Sequence, residues 1–508
     1  MENREFKQSK KNPGIVTNLP TTDVSWSWGK NVRFTPGAVS KVLGKSLLGS
    51  LPSPLPIRNM FTFRWYDDVQ KTLICCDNKL YIATNDFVTI VDVTPTPAPT
   101  SGATDTWTMA VIGGMPIFGN GVDGLWKITE SGVVAMTGTP ARARIVSSHH
   151  HRLLVGNLQE GAYDYPGRIK WSSPYEPESF SFSTKAEVDR RDIRDPNGDP
   201  HNNSEYVIGI GHLGKDRKVI YTDRNVWGAD PIEGPLQHSL PLLLPGKGLL
   251  APRLRVNVNG QEYFLGTDDV YKLGEDGGPL GFPMRNFIFP NLNQAHINKS
   301  FSYYKPATKE IVFCVPMASS TVPDVGISYN VELKSFGIQE VDYLCHSYAW
   351  LQSPLSWDTL TYGSWDTISD SRWDDMFSTG VIPYDAVGDA NGNILKLDDG
   401  YNNNGSAIQG FIETGDMYYA TNRIQSVCMY PQFKPTNSEH PVMIQVGVRE
   451  SLHHDIRWSQ PQAFYIGVSE KVDFLKSGKY VRYRFYTDQK NSPWILEGYQ
   501  TYFNVLGG

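Results

Sequence analysis

The sequence predicts an all-β protein: a β-propeller of six or seven blades, preceded by an N-terminal arm and followed by a C-terminal antiparallel β-sandwich. Three observations lead there. No 12-residue stretch convincingly places apolar side chains at i, i+3, i+4 and i+7, so helical periodicity is nearly absent. Glycine and proline together make up about 16% of the 508 residues, above the usual ~12%, which favours many turns and many short strands. The third is a repeat.

The repeating unit is a hydrophobic strand, a tight polar turn and a second strand carrying an aromatic. The turns read CDNK, GNGVDG, TDRN and GTDD, the Asn, Asp and Gly chemistry that hairpins require. The aromatics are Tyr81, Trp126, Trp171, Trp227, Tyr271 and Tyr329, at intervals of 45, 45, 56, 44 and 58 residues. A period of 40–50 residues with insertions is the size of one four-stranded propeller blade. AVGDANGNILKLDDG at 386–400 supplies a possible seventh unit. A set of unrelated hairpins in a sandwich is the alternative.

Three segments depart from the repeat. Residues 1–45 are polar and punctuated by Pro and Gly, with SWSWGKNVRF the only strand-like part, and read as an arm. The propeller is expected over 46–400, with a Trp-rich insertion at 350–380. There Trp357, Trp365 and Trp373 recur every eight residues, each followed by an acid (Asp358, Asp366, Asp374). An even period puts all three indoles on one side of an extended chain. They are either turns pinned by buried tryptophans or a subunit contact, since Trp is enriched in interface hot spots. From 401 to 508 the spacing is lost but the alternation persists in HPVMIQVGV, AFYIGV, KYVRYRFYT and WILEGYQTYFNVL, a compact antiparallel docking domain. In KYVRYRFY, Tyr480, Arg482, Arg484 and Tyr486 line one face and Val481, Tyr483 and Phe485 the other: a half-buried strand with a basic outer edge.

Composition narrows the function. A hydrophobic content of 40% supports a sizeable core, and a net charge of −6 argues against a basic nucleic-acid binder. Five cysteines, two of them adjacent (Cys75, Cys76), make no disulfide framework, and no CxxC pair suggests zinc. The polar start MENREFKQSKKNPG does not read as a signal peptide, and no apolar run reaches membrane-spanning length. Synthesis as a soluble protein in the cytoplasm is the expectation.

The search for chemistry returns no catalytic, cofactor or metal residues. His149, His150 and His151 are consecutive, so strand geometry sends them to alternate faces, and a turn is favoured. His453, His454 and Asp455 lack a third ligand at useful spacing. No GxSxG, HExxH, P-loop or GxGxxG motif follows a strand. The acid pairs Asp268–Asp269, Asp374–Asp375 and Asp398–Asp399 fall in expected hairpin turns, where Asp is favoured for geometry alone. Asp389–Asn393 resembles the start of a calcium loop but has Gly400 at the twelfth position instead of a bidentate Glu. Arg190, Arg191 and Arg194 alternate with Asp189, Asp192 and Asp195, a solvated or inter-subunit strip and not a phosphate-gripping one.

The order of these segments resembles one family. SWSWGKNVRFTPGAVSKVLG is similar to the opening of the tail nozzle, or tail-hub DNA-stabilisation, proteins of short-tailed bacteriophages, in which a polar arm precedes a β-propeller. HRLLVGN and RIKWSSPYEPESFS resemble a recurring pattern there, a strand ending in Gly-Asn and then Arg-x-x-Trp-Ser before a Pro-rich turn. DANGNILKLDDG, the Trp-Asp triplet, SGKYVRYRF and WILEGYQ are similar to the C-terminal half. The resemblance covers most of the chain and carries no catalytic residues. It implies a structural virion protein, not an enzyme. It also implies a homo-oligomeric ring, commonly of six copies, beneath the adaptor and portal and beside tail fibres or tailspikes. Such a ring extends and closes the channel through which viral DNA passes without sequence recognition, and the Pro/Gly-rich segment 184–204 is a candidate plug. Two other classes remain open: a non-enzymatic propeller scaffold, although the units lack GH…WD signatures and a glycine-doublet motif at fixed offset, and a propeller glycosidase acting on host polysaccharide.

Overall fold

The computed structural model describes residues 3–7, 14–17, 26–65, 69–102, 105–181, 189–193, 205–232, 238–274, 276–351, 382–419 and 421–506. They are almost entirely strands, and the fold is that of a β-propeller with a C-terminal antiparallel sandwich. The chain divides into two compact units, one of Leu47–Ile193 and Tyr343–Leu397, the other of Met1–Ser46, Arg194–Asp342 and Asp398–Gly508.

The first of these units holds four antiparallel sheets of four strands. Three are sequential: Asn59–Arg64 to Ile90–Asp92, Thr108–Ile112 to Gly132–Ala135, and Arg142–His149 to Asp189–Asp192. The fourth draws Cys345–Leu351, Ile382–Gly388 and Asn393–Leu397 from one end of the repeat and Lys45–Ser50 from the other. Neighbouring sheets meet through apolar faces. Phe63, Leu73 and Leu80 pack against Trp107, Phe118 and Trp126. Ile112 and Ile117 meet Leu153, Val155 and Phe180, and Ile57, Ile74 and Tyr81 meet Cys345, Tyr384 and Ile394.

The second unit holds three more antiparallel sheets of this kind, the first with five strands and the other two with four. They run from Val207–Leu213 to Leu242–Leu244, from Arg255–Val258 to Gly278–Pro279, and from Phe301–Lys305 to Ser335–Glu340. With the four above, the count among the described residues is seven, the higher of the two expected numbers. All six repeat aromatics fall at the same place, the third strand of their sheet: Tyr81 in Leu80–Thr84, Trp126 in Trp126–Thr129, Trp171 in Tyr163–Trp171, Trp227 in Val226–Pro231, Tyr271 in Val270–Leu273 and Tyr329 in Val325–Asn330. All but the half-exposed Trp227 are buried. The repeat therefore marks the third strand of each sheet, and Tyr81, Trp126, Tyr271 and Tyr329 belong to apolar clusters that join sheets within their unit.

The same unit carries two larger sheets. Trp26–Lys30 lies beside Gly410–Thr414, Tyr480–Thr487 and Val442–Arg449, while Val32–Thr35 and Ala38–Lys41 lead to Ile495–Leu506, Arg423–Phe433 and Val472–Gly478. Residues 26–41 of the N-terminal segment thus supply strands to both layers. Tyr483 and Phe485 from one layer contact Tyr499 from the other, and the Tyr483 hydroxyl bonds to Ser426 at 2.7 Å and Thr501 at 2.6 Å. That buried phenol is satisfied on both sides, so it fixes the spacing of the layers.

Local chemistry explains the turns. His150 and His151 are the two residues of a hairpin loop between His149 and Arg152, both at positive φ (45° and 61°), as a type I′ loop demands. Asn120 accepts from the amides of Val122 and Asp123 in the GNGVDG turn. In the TDRN turn Thr222 accepts from Asn225, while buried Glu205 takes Thr222, Asn225 and the Trp227 indole at 2.6, 2.5 and 2.9 Å.

Truncating Phe313, fully buried at the centre of the second unit's core, leaves a ring-sized cavity. Phe313→Ala is expected to cost about 3–5 kcal/mol in denaturant unfolding, against less than about 0.5 kcal/mol for Val88→Ala at a 78%-exposed turn.

Candidate functional site: the arginine–carboxylate face of the C-terminal sheet

Strand Tyr480–Thr487 alternates half-buried and buried residues along its whole length, as its sequence pattern predicts. Arg482 and Arg484 share one face. The strand is not at an edge: Gly410–Thr414 flanks it on one side and Val442–Arg449 on the other, with Glu413 opposite Arg484 and Arg449 opposite Tyr480. The expected basic edge is therefore an interior row met by acids. Glu413 accepts from Arg484 Nε at 2.8 Å and Nη2 at 2.6 Å, and from Arg482 Nη1 at 3.3 Å. Asp416 accepts from Arg482 Nη2 at 2.8 Å and from Arg449.

Both carboxylates are buried, and three guanidinium groups face them. The Arg484 guanidinium lies 4.1 Å from the Trp458 ring centroid and Arg449 lies 6.0 Å from that of Tyr480. Gly447 makes the first contact possible, because a Cβ there would come within 2.9 Å of the Trp458 ring. Guanidinium groups forked onto the two carboxylates, one of them packed against an indole, make a row of mutually fixed side chains. What the arrangement does in the fold is hold strands Gly410–Thr414, Val442–Arg449 and Tyr480–Thr487 together through charge-assisted hydrogen bonds.

Two further ionic clusters lie in the same unit. Arg33 donates to Glu310 at 2.8 Å and to both oxygens of Asp398 at 2.9 and 3.0 Å; Lys305 adds a bond to Asp398 at 3.1 Å. Burial alone would raise the Asp398 carboxyl, but Lys305 and Arg33 hold it below the ordinary value. A cleft of about 480 Å³ opens here, bordered by Arg33, Lys309, Asn330, Tyr401 and Trp494. Near it the buried Lys41 ammonium bonds only neutral groups, Thr487 and Ser492, and burial lowers it to about 8 despite Asp488. The other cluster surrounds Glu262, fully buried, which accepts from Tyr221 at 3.0 Å and Asn257 at 3.2 Å, with Arg255 at 3.7 Å. Burial lowers the nearby Lys218 to about 8, with Arg255 adding to the effect and Glu262 opposing it.

The acids singled out in the sequence have structural roles. Asp268 binds Lys247 and the Tyr271 hydroxyl, and Asp269 caps the amides of Val270 and Phe282. Asp389 accepts from the amides of Asn391 and Asn393, which makes its segment a turn. Among the described residues no group of three or more His, Cys, Asp or Glu could hold a metal ion. Trp357, Trp365, Trp373, the Asp374–Asp375 pair and most of segment 184–204 lie outside the described residues. Sequence reasoning missed Glu205, Glu262, Glu310, Glu413 and Asp416, the carboxylates that organise every cluster above.

Removing Arg482 strips a partner from two buried carboxylates. Arg482→Ala is expected to cost about 3–5 kcal/mol in denaturant unfolding. Lys41 gives a pH signature. Between about 8 and its unfolded value near 10.4 the unfolded chain holds a proton there that the folded one has released, so stability contributed at this site rises with pH across that window. Lys41→Met is expected to flatten that rise in unfolding measurements from pH 7.5 to 10.5.

No family model and no curated protein matches the sequence. Among solved structures, the chain is similar to virginiamycin B lyase from Staphylococcus aureus at 10% identity, covering 78% of this chain and 98% of that one, with a TM-score of 0.38. It is likewise similar to the Pan2 WD40 domain of Neurospora crassa (10% identity, 70% and 96% covered, TM-score 0.39) and to YCF48 from Cyanidioschyzon merolae (8% identity, 70% and 98% covered, TM-score 0.39).

Proposed function

We propose that this chain is a structural subunit of a short-tailed phage particle, forming the ring-shaped tail nozzle that extends and closes the DNA channel below the portal and adaptor. The observation that carries it is the use made of charge. The carboxylates that an enzyme would need are spent on bracing: Glu310 and Asp398 on Arg33, Glu413 and Asp416 on Arg482, Asp268 on Lys247. Such forked pairs hold strands in one register, which a subunit that must repeat identically around a ring needs, whereas a glycosidase needs two carboxyl groups facing its substrate.

The order of sequence motifs supports the same reading, and so does the net charge. A subunit at −6 gives a ring of six about −36, and a net negative assembly repels phosphate and lets DNA slide, where a basic one would hold it through counterion release. On this reading the partners are other copies of the chain, the adaptor and portal, and tail fibres or tailspikes.

Light scattering on the purified protein, alone and with candidate adaptor rings, tests it. A mass corresponding to a closed ring on the adaptor is expected. A monomer that ignores the adaptor and degrades polysaccharide overturns it.

A further inference from the structure

We propose that Asn404 is a site of spontaneous covalent modification, where the amide of Gly405 closes on the Asn404 side chain and converts it to aspartate and isoaspartate. The environment of each turn, and not the sequence alone, singles it out.

The sequence contains five Asn-Gly pairs, and four of them lie among the described residues: Asn120–Gly121, Asn259–Gly260, Asn391–Gly392 and Asn404–Gly405. Asparagine is most reactive before glycine, which has no Cβ to shield its amide and leaves the backbone free to turn. Three of the four pairs are held. Asn120 is buried, its side-chain oxygen accepts from the amides of Val122 and Asp123, and its Nδ2 donates to Asp123 at 2.7 Å. At Asn259 the attacking group is engaged, because the Gly260 amide donates to Asn257 Oδ1 at 3.0 Å. Gly392 is buried against the 53–55 backbone, where a Cβ would come within 3.2 Å of the Ser53 and Leu55 carbonyl oxygens, and its own carbonyl accepts from the Leu51 amide at 2.8 Å.

Asn404–Gly405 carries none of these restraints. Both residues are exposed, and a Cβ on Gly405 would meet nothing within 4 Å. Among the described residues no hydrogen bond engages the Asn404 side chain or the Gly405 amide. The pair forms a two-residue loop: Asn403 and Ser406 exchange backbone bonds at 2.8 and 2.9 Å, and Asn404 and Gly405 sit at φ 46° and 81°.

Once the Gly405 amide loses its proton to hydroxide, its nitrogen attacks Asn404 Cγ. The new N–Cγ bond closes a succinimide ring, the Cγ–Nδ2 bond breaks, and ammonia leaves with a proton taken from water. Water then opens the ring. Cleavage at Cγ gives aspartate, and cleavage at the backbone carbonyl gives isoaspartate, with the chain rerouted through Cγ. Either product adds a negative charge next to Asn403, whose Nδ2 binds Asp342 at 2.8 Å. The isoaspartyl form also lengthens the backbone by one carbon, which does not fit a two-residue loop, so the bond from the Asn404 amide to the Lys45 carbonyl, at 2.8 Å, is lost with it.

Peptide mapping of the whole protein, aged at mildly alkaline pH in oxygen-18 water, tests this. Conversion at Asn404 should run roughly five- to tenfold faster than at Asn120, Asn259 or Asn391, the factor that about one hydrogen bond is worth. In denaturant the four rates should converge. Asn404→Gln, whose ring closure is larger and slower, should remove label from the peptide that holds Asn402, Asn403 and Asn404. Four results overturn the assignment: no label at Asn404, label that appears first at one of the other three pairs, label that persists in the Asn404→Gln peptide, or the same ranking of rates in folded and unfolded protein.

Discussion

The guanidinium of Arg33 is bound by carboxylates 277 and 365 residues further along the chain, and much of the second unit depends on that fact. A β-sheet leaves no room for an uncompensated charge, and Glu310 sits in a strand whose every residue is buried. The buried acid therefore obliges the N-terminal strand Val32–Thr35 to come to it, and that strand leads through Ala38–Lys41 to the last strand of the chain. One forked ion pair thus determines which distant segments meet. The C-terminal sheet repeats the logic with Glu413, Asp416 and three arginines.

Such pairs add specificity more than net stability, because the desolvation of two charges offsets most of their attraction. What they prevent is slippage. A one-residue shift of Tyr480–Thr487 would turn Arg482 and Arg484 into the apolar layer and send Tyr483 and Phe485 outward. The hydroxyl of Tyr483, bonded on both sides between the layers, penalises the same error from the opposite face.

Much of this was legible in the residues. The aromatic spacing from Tyr81 to Tyr329 marked the third strand of six successive sheets, because turn chemistry and alternation are local and repeat with the fold. The strand at 480–487 was readable for the same reason. The partners of its arginines were not: Glu413 and Asp416 lie about 70 residues earlier in the chain, and nothing local says which strands become neighbours. A signal did exist, since QEYFLG, KEIVFCV and GFIETGD each carry an acid beside a strongly apolar strand, and such an acid must find a cation. The N-terminal segment read as an arm because its pairings, to 410–414 and 495–496, are as remote as the sequence allows.

The sheet completed by Lys45–Ser50 has a consequence for how the protein is made. That strand leaves the ribosome early, yet its partner Asn393–Leu397 is translated some 350 residues later, and the strands at 26–41 wait longer still for 410–506. At ordinary elongation rates of about 5–20 residues per second, the early strands spend tens of seconds without their partners. The sequential sheets between them can form as they emerge, but both ends of the repeat stay open until residues 393–506 have been made. A chain released before Asn393–Leu397 would carry unpaired strand edges instead of a smaller version of the fold.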